Sequence, residues 1–201
     1  VGIIEDVTKA VPSGFQRAGE KVLLLESTRE PIVWEMHDIG SSAFASNAFG
    51  QMWGAPPPLD ISAEAALHKA LVKLAEDGLI SSAKDVTDGG IAVALAESCF
   101  PHGVGVKVNV SQFSTNHLAV SLFSEPASSV VVTCSNENYS KICALLDEAG
   151  EIFPLEIGIT THDGEMEVLA DGEVLIRESI ASLQNPWSNA LESQLAAEVL
   201  V

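Results

Sequence analysis

The sequence has 201 residues, the size of one domain or of two small ones. It carries 28 acidic and 10 basic side chains, a formal net charge of −18, which argues against nucleic acid as a partner, because that affinity depends on Lys and Arg neutralising phosphates. Hydrophobic residues make up 47% of the chain and charged residues 19%, so the composition excludes an intrinsically disordered protein and allows a sizeable core.

Cysteine usage and hydropathy bear on the compartment. Cys99, Cys134 and Cys143 are scattered and form no C-x-x-C pair, which argues against a disulfide framework or a zinc site and favours the reducing cytoplasm. No apolar run approaches the roughly 18 residues of a membrane span, and no signal peptide is recognised. Because the chain starts without Met in the apolar stretch Val1–Ile4, we expect a piece of a longer protein.

The first part of the chain alternates strand and helix signals. Apolar runs predict strands at Val1–Ile4, Lys21–Glu26 and Leu79–Val86, while Ile32–Met36 is either a strand or a loop edge. Gly40–Pro58 is rich in small residues and proline, which indicates a long binding loop or a short interrupted helix. A helix capped by Ser62 carries Leu67, Leu71 and Leu74 on one stripe and ends before Gly78.

The second part continues this alternation. Helices are predicted over Ile91–Cys99 and from the cap Asn136 to Gly150. Strands are predicted over Val104–Val110, Val130–Thr133 (a central strand) and Leu155–Ile159. A hairpin is predicted at Asp171-Gly172, and a last helix with Trp187, Leu191 and Leu195 follows a break at Pro186.

The order of these elements predicts the fold. From Leu79 to Ile159 it is strand, helix, strand, strand, helix, strand, the split β-α-β pattern of a ferredoxin-like sheet. The preceding helix and the N-terminal strands would extend that sheet. We therefore predict one α+β domain over residues 1–201, with a mixed sheet and flanking helices.

The first candidate site lies where a predicted strand turns into a helix, at Asp85-Val86-Thr87-Asp88-Gly89-Gly90. Two glycines permit a tight turn and close approach of a ligand, and the amides of the helix start favour an anion. Asp85 and Thr87 share a face if the strand persists, and a carboxylate with a hydroxyl suits Mg²⁺ bridged to phosphate. In the alternative, Thr87 or Asp88 only caps the helix and the glycines ease packing.

The second candidate site precedes the predicted central strand. Ser124, Glu125 and Ser128 there are candidates for contact with a hydroxylated or phosphorylated ligand. The alternative is a solvated turn fixed by Pro126.

Several motifs in the same order resemble those of the phosphoribosylformylglycinamidine synthase family. Asp85–Glu97 resembles the family's D-x-S-D-G-G-L-x-x-x-L-A-E signature, with Thr87 in place of Ser. Leu122–Glu125 is similar to L-F-G-E, Gly40–Phe44 to G-G-S-E-Y and Pro56–Asp60 to P-P-x-L-D. The start of the chain through Leu25 resembles the start of the family's last domain.

The resemblance implies the C-terminal domain type shared with aminoimidazole ribonucleotide synthetase. It implies part of an ATP-dependent ligase of purine biosynthesis that converts formylglycinamide ribonucleotide with ammonia from a glutaminase. The family's catalytic His lies in earlier domains, so no catalytic residue is assigned and the chain alone is expected to be inactive. Of the family's site residues, the resemblance carries over only Asp85 and Thr87, as contacts to Mg²⁺ and a bound nucleotide. Together with the two candidate sites above, we predict Asp85 as the Mg²⁺ ligand and, for a nucleotide such as ATP, contacts from Thr87, Asp88, Gly89, Gly90, Ser124 and Glu125.

Expected partners are a preceding nucleotide-binding domain of the same chain and a glutaminase subunit or domain, with neither nucleic acid nor a membrane. The alternatives are a non-catalytic packing domain that binds nothing, or a domain of another superfamily member such as aminoimidazole ribonucleotide synthetase or selenophosphate synthetase.

Overall fold

The computed structural model describes residues 4, 6–26, 39–113, 118–149 and 152–198. The strands are β1 (Lys21–Glu26), β2 (Ser82–Asp85), β3 (Gly105–Asn109), β4 (Ser129–Cys134), β5 (Phe153–Thr161), β6 (Glu165–Ala170) and β7 (Glu173–Ser179). The α-helices are α1 (Ala43–Phe49), α2 (Ile61–Glu76), α3 (Gly90–Cys99), α4 (Leu118–Phe123), α5 (Asn136–Ala149) and α6 (Ile180–Glu198), and a 3₁₀ turn covers Val7–Lys9.

The strands form one seven-stranded sheet in the order β2-β4-β1-β5-β3-β6-β7. Neighbours are antiparallel except β3 and β6, which run parallel, so the sheet is mixed. Helices pack on both faces. The predicted α+β fold with a mixed sheet and flanking helices is confirmed.

Strand β1 lies in the middle of the sheet, which corrects the expectation that the N-terminal strands extend it. Lys21 to Glu26 pairs with β4 on one side and β5 on the other, and so separates two strands of the split β-α-β pattern. Its four central residues are all buried, and a strand buried on both faces belongs at the centre of a sheet.

Alternate residues of β1 face two separate cores. Val22 and Leu24 join the core beneath α3, whereas Leu23 and Leu25 join the core beneath α2 and α5. The β4 strand, buried at all six positions, is the predicted central strand at Val130–Thr133. The turn at residues 85–90, which leads from β2 into α3, is therefore anchored on β4, the strand that pairs with β2.

Two helix caps differ from the sequence prediction. Asp60, and not Ser62, caps α2, because its Oδ1 accepts from the amides of Ser62 and Ala63 at 2.8 and 3.2 Å. Ser135, and not Asn136, precedes α5, and its hydroxyl accepts from the Asn138 amide at 3.3 Å. In each case the carboxylate or hydroxyl reaches amides of the first turn only from the residue before the helix.

Pro186 does not break the last helix, which corrects another prediction. Helix α6 begins at Ile180 and continues through Pro186. Immediately after the proline, the Trp187 ring lies 5.3 Å from that of Phe100, and its indole N–H donates to Glu97 at 3.0 Å. These contacts offset the loss of one backbone hydrogen bond at the proline.

Other predictions have simpler outcomes. The strand at Leu79–Val86 is shorter, Ser82–Asp85, and the segment Gly40–Pro58 contains the short helix α1. The hairpin at Asp171-Gly172 is confirmed, with both residues at positive φ. Ile32–Met36 and the first three residues of the predicted strand Val1–Ile4 lie outside the described residues. Among the helices that the structure describes, none has the length and hydropathy needed to cross a bilayer.

Candidate functional site

The GG turn, residues 85–90, joins the end of β2 to the start of α3. The strand ends at Asp85, the Val86 amide donates to the backbone carbonyl of Ser129 at 3.0 Å, and the chain then turns. Asp85, Thr87 and Asp88 are exposed, whereas Gly89 and Gly90 are buried. The structure thus brings the five predicted residues of the first site together, with the three polar side chains towards solvent.

Both glycines are required by the backbone of this turn. Gly89 has φ +85° and Gly90 has φ +67°, values that side-chain-bearing residues rarely adopt. A Cβ on Gly90 would lie 2.6 Å from the carbonyl oxygen of Ser124 and 2.7 Å from that of Leu122. The turn therefore packs directly on the backbone at the end of α4.

The carboxylate of Glu125 is bound to this turn. Its Oε1 accepts hydrogen bonds from the amides of Gly89 and Ala43, both at 2.8 Å. The Gly90 amide donates to the carbonyl of Thr87 at 2.8 Å. Both glycine amides thus have partners within the chain, and neither Thr87 nor Asp88 caps α3, which has no side-chain cap.

A lysine neutralises part of the acidity beside the turn. The Lys84 ammonium lies 2.8 Å from Glu97 Oε2 and 3.7 Å from Asp85 Oδ1. The hydrogen bond to Glu97 is the main cause that raises the pKa of Lys84, so the side chain is a cation at neutral pH. Asp85 remains the most accessible carboxylate of this cluster, because its side chain is 64% exposed.

The turn can supply only part of the ligands of a Mg²⁺ ion, and a phosphate and water would have to supply the rest. Within the described ranges, no three His, Cys, Asp or Glu side chains are grouped so that they could hold a metal ion. Mg²⁺ is commonly held by one or two carboxylates together with substrate phosphates and water. Asp85 with the neighbouring Thr87 hydroxyl fits that mode, and a closed protein cage does not exist among the described residues.

The serines of the second predicted site have separate surroundings. Ser124 is buried, and its hydroxyl has no hydrogen-bond partner among the described residues. Ser128, at φ +58°, donates its hydroxyl to Glu64 of α2. Of the three residues of the second site, Glu125 therefore lies at the GG turn and Ser124 lies behind it. The Ser128 hydroxyl is already bound to Glu64.

An aromatic cluster beside the turn was not predicted. Phe44 stacks on Phe123 at 4.6 Å with a 12° interplanar angle, and Phe49 links Phe44 to Trp53 by edge contacts at 6.0 and 5.7 Å. Three of these rings lie within ten residues of a chain that is only 5% aromatic, and this local density is the signal that could have revealed the cluster. The cluster holds α1 against the end of α4 and so positions Ala43 and Glu125.

Comparison with known proteins shows which protein family this chain is similar to. The model of the family described as AIR synthase related protein, C-terminal domain, matches residues 17–171. The phosphoribosylformylglycinamidine synthase subunit PurL of Leifsonia xyli is 33% identical over 202 residues, which cover 99% of this chain and 25% of that protein. The PurL subunit of Cutibacterium acnes is 38% identical over 170 residues, covering 84% of this chain and 21% of that protein. The chain spans about a quarter of the length of these curated relatives.

Solved structures share the fold. Thermotoga maritima PurL complexed with FGAR superposes with a TM-score of 0.74 at 19% identity, covering 89% of this chain and 30% of that one. The same protein complexed with ATP superposes with a TM-score of 0.68 at 17% identity, covering 89% of this chain and 28% of that one. The hydrogenase maturation protein HypE gives 0.55 at 18% identity, covering 87% and 56%.

Proposed function

The chain belongs to the AIR synthase related family, as a C-terminal domain, and we propose that it is the C-terminal domain of an ATP-dependent phosphoribosylformylglycinamidine synthase in purine biosynthesis. The parent enzyme converts formylglycinamide ribonucleotide, ammonia and ATP to formylglycinamidine ribonucleotide. The observation that carries this proposal is the similarity to PurL subunits over 99% of the chain. It favours this enzyme over other superfamily members, including those of the HypE type, for which the likeness is one of fold.

The GG turn is proposed as the part of this domain that meets a nucleotide. Asp85 would hold Mg²⁺, which supplies positive charge between the acidic turn and the phosphates. Thr87 and Asp88 are exposed beside it and can contact phosphate-bound water or a ligand hydroxyl. Gly89 and Gly90 shape the turn, and a phosphate oxygen reaches the Gly89 amide only if it replaces Glu125 there. Ser124 supports the turn through its carbonyl, against which Gly90 packs.

A purely structural role of the turn is the second candidate, and a specific observation favours it. The Glu125 carboxylate already satisfies the Gly89 and Ala43 amides, so α1 and α3 are joined without any ligand. In that case the domain packs against the rest of its parent and binds no nucleotide.

Nucleotide titration separates the two candidates. Calorimetry of the 201-residue chain, and of its full-length parent, would use ADP with and without Mg²⁺. We expect binding that requires Mg²⁺ and that weakens at least tenfold in Asp85→Asn, because removing the charge removes the metal ligand while keeping the side-chain shape. The matched control is Asp147→Asn, an exposed carboxylate on α5, which should bind normally. Equal affinity in wild type and Asp85→Asn would assign the turn to structure alone.

The proposal for the whole enzyme is tested separately. The chain alone, given ATP, Mg²⁺, formylglycinamide ribonucleotide and ammonia, should form no product, whereas the full-length parent should. Product formation by the isolated chain would contradict the assignment of catalysis to other domains. We propose that a nucleotide-binding domain of the same polypeptide and a glutaminase are its partners, since one T. maritima relative is described as PurLQS, and that the enzyme is cytoplasmic.

A further inference from the structure

A small pocket with a mixed polar and apolar lining lies behind the GG turn, between the ends of β1 and β4. It has a volume of about 20 Å³ and is partly open. Its polar lining comprises Glu26, Ser121, Ser124 and Ser129, and its apolar lining comprises Leu24, Val86, Ile91, Phe113 and Pro126. A cavity needs about 10–15 Å³ to admit one water molecule, so this pocket has room for a single particle of that size.

Glu26 is the ionisable group of this lining, and it is poorly compensated. Its Oε1 lies 3.4 Å from the Ser129 hydroxyl, the outer limit of a hydrogen bond. Among the described residues, no Lys, Arg or His forms an ion pair with it. Burial raises the pKa of Glu26 to about 6, and the carboxylate is nonetheless the main form at pH 7.5. A half-buried negative charge with no countercharge among the described residues is costly unless something binds to it.

Ser124 gives an independent indication of a missing partner. It is only 5% exposed, it lines the pocket, and its hydroxyl makes no hydrogen bond within the part of the chain that the structure describes. Buried hydroxyls nearly always have a partner, so an unpartnered one facing a cavity indicates a bound species. The Ser121 hydroxyl donates to the Leu118 carbonyl at 2.9 Å and keeps lone pairs available as an acceptor.

We propose that this pocket binds a monovalent cation of the size of a water molecule, of the class of K⁺ and NH₄⁺, through the Glu26 carboxylate and the hydroxyls of Ser124 and Ser129. Carboxylate and hydroxyl oxygens can coordinate K⁺ or accept hydrogen bonds from NH₄⁺, water at the open side of the pocket can complete the shell, and the bound charge offsets Glu26. Mg²⁺ is disfavoured, because it gives up its waters reluctantly and the hydrated ion is too large for a pocket of about 20 Å³. The site differs from the GG turn in its ligand and shares with it only Ser124, whose carbonyl packs against Gly90, and it goes beyond the proposed function.

Thermal unfolding of the 201-residue chain, without nucleotide, tests this site. KCl, NH₄Cl and choline chloride would be compared at equal ionic strength and at pH 7.5. We expect K⁺ and NH₄⁺ to raise Tm saturably above the choline value, on the order of 3 °C at ten times Kd. The rise should vanish in Glu26→Gln and weaken severalfold in Ser124→Ala. The control Glu173→Gln, an exposed residue of β7, should retain it.

Thallium-205 NMR provides a direct readout that does not depend on stability. A bound Tl⁺ signal that K⁺ and NH₄⁺ displace, and that Glu26→Gln lacks, would support the site, and displacement by only one of the two would identify which cation it prefers. No difference between K⁺, NH₄⁺ and choline, or the same response in Glu26→Gln, would show that the pocket holds only water and would overturn the proposal. Since no nucleotide is present, this result is independent of the nucleotide titration.

Discussion

The carboxylate of Glu125 accepts a hydrogen bond of 2.8 Å from the amide of Gly89, at the start of a helix where an external anion would ordinarily bind. The same oxygen binds the Ala43 amide, so one side chain joins α1, α3 and the end of α4. A ligand phosphate at this position must compete with a group of the same charge that is already held in place.

Replacing Glu125 by Ala should therefore have two opposite effects. The free energy of unfolding should fall by about 2 kcal/mol, because two amides lose a charged acceptor. The affinity for Mg-nucleotide should rise severalfold, because the Gly89 amide becomes free and one negative charge near Asp85 and Asp88 is removed. Urea unfolding and calorimetry measure the two effects.

The control for this variant is Glu173→Ala, an exposed carboxylate on β7 that should change neither quantity. A loss of nucleotide affinity in Glu125→Ala, with the fold intact, would instead assign Glu125 to direct contact with the ligand, as the sequence alone predicts.

Gly90 should be far less tolerant of a side chain than Gly78. Both have similar positive φ, +67° and +63°, so an alanine at either position costs about 1–2 kcal/mol of backbone strain. A Cβ on Gly78 meets nothing within 4 Å, whereas one on Gly90 meets two carbonyl oxygens. We expect Gly90→Ala to lower the free energy of unfolding by about 3 kcal/mol or more, and Gly78→Ala by about 1 kcal/mol. Equal losses in urea unfolding would contradict the close packing of the turn on α4.

Helix α6 should depend on Glu97. This carboxylate binds Lys84 through one oxygen and the Trp187 indole through the other. Glu97→Ala removes both contacts, so amide hydrogens of residues 187–196 should exchange faster and the free energy of unfolding should fall by about 1–2 kcal/mol. Glu97→Gln keeps an acceptor for Trp187 and should preserve most of the protection. Identical exchange in the two variants would show that the apolar contact with Phe100 alone anchors the helix.

Much of this fold was predictable because the signals are local. The Gly78 helix end, the Asp171-Gly172 hairpin and the buried β4 strand each depend on residues within a few positions of one another. The location of β1 was not predictable, because its pairing with β4 and β5 joins residues more than 100 positions apart. The persistence of α6 through Pro186 likewise depends on Glu97 and Phe100, which belong to another part of the chain.

The candidate site shows the same division. The strand-to-helix turn with its two glycines was predicted from spacing, and the structure places its polar side chains at the surface. The occupation of the Gly89 amide by Glu125 could not be predicted, because the two are 36 residues apart. The pocket at Glu26 also escaped prediction, since a glutamate at the end of a strand ordinarily faces water, and the residues that surround this one come from distant parts of the chain.

Glu26 should make the folded state less stable as the pH rises from about 4.5 to about 6, in choline chloride without K⁺ or NH₄⁺. Its pKa is raised by burial from 4.5 to about 6, so between these values the folded state binds more protons than the unfolded state. The stabilisation by the protonated carboxyl is complete below pH 4.5 and is lost as the pH passes through 6, a difference of about 2 kcal/mol at full effect. Glu26→Gln, which cannot ionise, should lack this decline and be more stable than wild type at pH 7.5, whereas Glu173→Gln should follow wild type. Urea unfolding at half-unit pH intervals measures the difference, and parallel curves for wild type and Glu26→Gln would show that Glu26 is solvated in the folded protein.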